Sequence, residues 1–171
     1  MVRSAVVLVT GALLAAVLVL GTIDTLVWLP QLTAPGIPLG RVYEALSASG
    51  DLPSVLVGAI GWLGIWTLLS ALFVTLMLPV RPAFRPLPDG AGTLGVVAIA
   101  CLLLGAVGFL HWWSAFAMGM SVSDELPPGT GRTTALGAAL LLGGLLVGAV
   151  GVVLGVVALV AGARSRPAVT A

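Results

Sequence analysis

The chain has 171 residues, of which 60% are apolar and 8% charged, with a net charge of +1; a soluble domain carries about 25% charged residues. So much apolar surface rules out a water-soluble fold, and the near-neutral charge gives no footing for nucleic acid. With a single cysteine, Cys101, neither an intrachain disulfide nor a dithiol redox pair can form.

Four runs, at about 4–29, 54–78, 95–120 and 134–161, are nearly free of charge. A helix needs about 20 apolar residues to cross the hydrocarbon core, and only helices or closed barrels satisfy their backbone groups there. The expectation is an all-α integral membrane protein with four transmembrane helices in an up-and-down bundle, one domain over 1–171. Connections this short leave no room for a further folded unit.

Every basic residue is an arginine. Arg3, Arg81, Arg85, Arg164 and Arg166 fall on one side of the four runs, and Arg41 and Arg132 on the other. Because arginine-rich short segments stay in the cytoplasm, both termini and the loop after the second run are predicted cytoplasmic. The first run exceeds a signal peptide's apolar core of about 7 to 15 residues, so it is expected to remain as a signal anchor. A chain rich in Ala, Val, Leu and Gly and lacking lysine looks like the product of a GC-rich bacterial genome, which places it in a bacterial inner membrane.

Along the first run, Asp24 and Trp28 approach the outer interface, and Pro30, Pro35 and Pro38 are expected to stop the helix. In the loop that follows, Arg41 to Ser49 puts Val42, Ala45 and Leu46 on one side and Arg41, Glu44 and Ser47 more nearly opposite. Either a short interfacial helix or an irregular loop fits that pattern. Gly50, Asp51 and Pro53 supply a cap and first-turn proline for the second run. Trp62 and Trp66 share one face of it and read as packing or lipid contacts rather than a quinone-like site. Pro79, Pro82 and Pro86 end it.

The third run carries His111 at the depth of Asp24. Such a carboxylate and imidazole either face the headgroups separately, which is the expectation, or form a titrating pair as a polar outer site. Trp112 and Trp113 read, with Trp28, as an interfacial belt. Met118 shares a helical face with His111, but seven residues at 1.5 Å each is about 10 Å, too far for both to hold one copper ion. Pro127, Pro128 and Gly129 break the chain before Thr130 or Thr133 caps the fourth helix.

That helix carries the most organised signal. Gly137, Gly144, Gly148, Gly151, Gly155, Ala158 and Gly162 fall on one stripe, with two GxxxG steps, as a surface for close helix packing. Its partner is either another helix of the same chain, the first choice, or a second subunit. Gly58, Gly61 and Gly64, and Gly105 and Gly108, are the expected companion surfaces.

No charge lies near the middle of any run, and no P-loop, HExxH, GxSxG or CxxC is present. No catalytic residue, metal ligand or cofactor is therefore assigned. The leading expectation is a noncatalytic accessory subunit that meets lipid and either a membrane-protein partner or further copies of itself through glycine-rich faces. The alternative is a small oligomeric channel or transporter with Asp24 and His111 at its outer mouth. A third reading is an enzyme or ligand binder of the outer leaflet.

Overall fold

The computed structural model describes residues 2–78, 89–126 and 132–164. Among them it is all helical with no strand: α1 (Val2–Thr33), α2 (Leu39–Ser49), α3 (Leu52–Met77), α4 (Asp89–Glu125) and α5 (Ala135–Arg164). All but α2 are long and apolar enough to cross a membrane. Arg81 and Arg85, Pro79, Pro82 and Pro86, and Pro127, Pro128, Gly129 and Thr130 lie outside the described residues, as does Arg166.

The helices alternate in direction. Gly11 meets Val74 and Gly21 meets Trp62, so α1 and α3 run antiparallel, whereas Gly21 near His111 and Leu29 near Gly119 make α1 and α4 parallel. Gly105 opposite Gly148 and Leu102 opposite Gly151 make α4 and α5 antiparallel. Helix α4 is the central element, in contact with every other helix.

Burial follows the helical repeat. Val7, Thr10, Leu14, Leu18 and Gly21 form the buried stripe of α1, at steps of three and four residues. They pack with Trp62 and Phe73 of α3 and Val96, Ala100 and Val107 of α4. A second core lies toward the other end, where Leu29, Ala34, Val42, Leu46, Val55, Met118 and Val122 meet. Met118 is thus core filling. Large apolar side chains elsewhere point outward, Leu159 being 76% exposed and Val57 71%. Lipid is as apolar as leucine, so such faces carry no penalty in a bilayer.

The segment between α1 and α3 forms a helix rather than an irregular loop. Val42 and Leu46 of α2 are fully buried against the bundle, while Arg41 and Glu44 face outward and pair at 2.9 Å. Gly50, at φ +89°, takes the left-handed conformation that ends α2 and turns the chain into α3. Asp51 stands at the N-cap of α3 without a side-chain cap bond, and Pro53 lies in the first turn.

Pro30 does not stop α1. Residues Asp24–Trp28 form a π-helical turn, in which the Leu29 N–H donates to the Asp24 carbonyl, and the helix runs on to Thr33. A proline removes the N–H that the carbonyl four residues earlier would accept, here that of Leu26. The Tyr43 hydroxyl of α2 donates to that carbonyl at 2.7 Å. The helix continues because a side chain from the next element replaces the missing donor.

Candidate functional site

The fourth-span glycine stripe faces α4 of the same chain. A Cβ on Gly144 falls 2.5 Å from the Phe109 nitrogen, one on Gly151 2.8 Å from the Leu102 nitrogen, and one on Gly105 2.6 Å from the Gly148 Cα. Only hydrogen fits where two backbones come that close. Gly148 has slightly more room, 3.8 Å from Gly105 Cα, and Gly155 only grazes Ala98 at 4.0 Å. Among the described residues, none comes within 4 Å of a Cβ on Gly162. Gly105 and Gly108 are the companion surface on α4, the latter 2.9 Å from the Leu140 carbonyl oxygen. Gly58, Gly61 and Gly64 are not companions, since a Cβ on any of them meets nothing within 4 Å among the described residues.

By fixing α5 against α4, the stripe brings the start of α5 beside the π turn of α1, where the polar residues gather. Asp24 is 1% exposed and His111 fully buried, with Nε2 of His111 3.6 Å from Oδ2 of Asp24. Neither side chain faces headgroups, contrary to the expectation from depth alone. Both point into the bundle because α1 and α4 run parallel with these residues at one level. The contact lies beyond hydrogen-bond length, so the two are neighbours rather than a bonded pair.

The carboxylate is held by α5. Thr134 Oγ1 donates to Asp24 Oδ1 at 2.6 Å and accepts the Gly137 N–H at 2.8 Å. Thr134, rather than Thr130 or Thr133, is therefore the N-cap of α5, and Thr133 lies in the wall of the adjoining cavity. A Cβ at Gly137 falls 3.0 Å from Thr134 Oγ1, 3.2 Å from Thr133 Cγ2 and 3.3 Å from Asp24 Oδ2. Gly137, the first member of the stripe, thus makes room for the capping threonine and the acid instead of for a helix.

The imidazole is oriented as closely. Its Nε2 lies 3.0 Å from the Gly21 carbonyl oxygen and 3.2 Å from Thr25 Oγ1. A carbonyl only accepts, so Nε2 carries a hydrogen and donates it. Nδ1 is buried without a hydrogen-bond partner among the described residues. Trp62 packs edge-on at 5.4 Å between ring centroids. Gly21 admits both rings, since a Cβ there stands 2.8 Å from Trp62 and 2.9 Å from His111. In the neutral ring Nδ1 is a base with a free lone pair; with a proton, it makes an imidazolium beside a carboxylate.

These groups border a cavity of about 210 Å³. Asp24, His111, Thr133, Thr134 and Arg132 give it polar points, and Trp112, Phe116 and Met120 are among its apolar ones. The Trp112 and Phe116 rings stand 5.2 Å apart. Both are partly exposed, at 39% and 49%, so the aromatic wall extends to the outside of the bundle.

Thr25, Thr134 and Gly21 were not singled out by the sequence as site residues, and Trp62 was weighed only with Trp66, as a packing or lipid contact against a quinone-like site. Thr25 adjoins Asp24, and Gly21 lies one turn before it, which are the only local signals they carry. Comparison with protein-family models, with curated proteins and with solved structures finds no match. The site must therefore be read from its own chemistry.

Proposed function

We propose that this chain is a small multispanning protein of a bacterial inner membrane, with both termini cytoplasmic and α2 at the outer interface, that works as a channel or transporter through the Asp24–His111 cluster. One observation carries the reading: two titratable side chains, 0% and 1% exposed, stand 3.6 Å apart on the wall of a cavity in a membrane-type bundle. Ionisable groups are costly inside a bilayer and persist there chiefly where they serve a solute, an ion or a proton. Thr134 and Gly21 hold the pair in place, and Nδ1 of His111 is left without a hydrogen-bond partner among the described residues.

An accessory role through glycine-lined faces has less support, because the α5 stripe is largely occupied by α4 of the same chain. No step of bond making or breaking is assigned to the cluster, and the reading is noncatalytic.

The test is proton flux into liposomes that contain the purified chain and a trapped pH dye, driven by an imposed potential. Flux several-fold above empty liposomes, abolished by Asp24→Asn and by His111→Gln in protein that remains folded, is the expected result. Equal flux in all of these preparations overturns the proposal.

A further inference from the structure

We infer that the cavity beside Asp24 takes a small zwitterion, a molecule with an ammonium group at one end and a phosphate or carboxylate at the other. The inference rests on the reading of the Asp24 cluster as a solute site and names what that site holds.

Charge is the first argument. Asp24 and Arg132 line the same cavity. Thr134 satisfies only Oδ1 of the acid, and no donor among the described residues lies within hydrogen-bond distance of Oδ2. An acid oxygen that borders the cavity without a donor of its own gains from a ligand that brings N–H groups to it. Arg132 is exposed and pairs with no carboxylate among the described residues. A simple cation that reached Asp24 is repelled by the guanidinium, and a simple anion at Arg132 is repelled by a carboxylate that Thr134 prevents from turning away. A ligand with both charges satisfies both ends.

Size and surface set the rest. An apolar cavity of about 150 Å³ holds benzene. By that measure 210 Å³ suits about eight heavy atoms, the size of a small amino acid or of a phosphoethanolamine headgroup. Trp112 and Phe116, whose rings are tilted by 35° to each other, provide an apolar wall for the methylene groups between the charges. The ligand comes either from a lipid headgroup or from free solute.

The experiment uses the full chain in phosphatidylglycerol nanodiscs, titrated with glycerophosphoethanolamine and read by tryptophan fluorescence, to which Trp112 contributes. Saturable binding is expected, with ethanolamine alone and glycerol 3-phosphate alone at least tenfold weaker. Asp24→Asn and Arg132→Gln should each weaken it about tenfold. Arg132 is exposed, so Arg132→Gln decides the matter even where Asp24→Asn fails to fold. Repetition in phosphatidylethanolamine nanodiscs separates the sources: a lost response identifies the lipid headgroup, and an unchanged one identifies free solute.

No saturable response in phosphatidylglycerol, or equal binding of either single-charge compound, overturns the inference. Zwitterion binding without proton flux sinks the transport reading alone. Flux that depends on Asp24 without zwitterion binding sinks only this one.

Discussion

Thr134 donates to Asp24 at 2.6 Å while it accepts from the Gly137 N–H, so the N-cap of α5 and the acid of α1 form one structural unit. Capping threonines contribute about 1 kcal/mol and hydrogen bonds to charged groups about 1.5–3. Thr134→Val keeps the shape and removes both bonds. It should destabilise the protein by about 2–4 kcal/mol in reversible detergent unfolding. Thr134→Ser should cost less than about 1 kcal/mol. Equal stability of the two variants would show that the hydroxyl does not hold the acid.

The glycines give a graded series. Alanine at Gly144 puts a methyl group 2.5 Å from a backbone nitrogen of α4, which cannot retreat without moving the helix. Overpacking of this kind costs about 1–3 kcal/mol. At Gly148 the nearest neighbour stands at 3.8 Å, an ordinary contact, and at Gly61 there is none within 4 Å. Alanine at these two positions should be tolerated, and at Gly61 should stabilise by up to about 1 kcal/mol through helix propensity. Thermal unfolding in one detergent should rank Gly61→Ala above Gly148→Ala and Gly144→Ala last. Loss of a dimer by Gly144→Ala, with an intact monomer, would instead move the stripe to a subunit interface.

The four apolar helices and the middle of the glycine stripe, Gly144 to Gly151, were legible because each signal is local: length and composition for the first, a repeat of three and four residues for the second. The site was only half legible. Asp24 and His111 stood out as polar residues at one depth, but depth does not say which way a side chain turns. That was settled by α1 and α4 running side by side in parallel, a tertiary fact. Thr134 was hidden for a similar reason. The helix start offered several threonines, and an acid 110 positions away selects which of them caps. The continuation of α1 past Pro30 depends on Tyr43 of another helix, so no rule confined to the first run could find it.

Orientation remains a matter of arginine placement, and reporter fusions test it. A cytoplasmic reporter fused after Met77 should be active, and one fused after Glu125 inactive, with the opposite result for a periplasmic reporter. Activity of the same reporter at both places would contradict a bundle in which α4 crosses the membrane.

Tyr43 and Pro30 should be energetically coupled. Tyr43→Phe leaves the Leu26 carbonyl without its donor, at a cost of about 1–3 kcal/mol. Pro30→Ala supplies a backbone N–H that can take over, so in that background Tyr43→Phe should cost less by at least about 0.5 kcal/mol in a double-mutant cycle. The burial of the same side chain sets an alkaline limit. Burial raises the Tyr43 phenol above its usual value, so the folded state favours the protonated hydroxyl that donates to Leu26. A raised pKa gives stability that is fully present below the ordinary phenol range, about 10, and is lost as pH climbs through the folded value. Unfolding midpoints should therefore fall above that range in the wild type more steeply than in Tyr43→Phe, which has no phenol at this position. Parallel curves for the two proteins would show that burial does not hold the phenol in its protonated form.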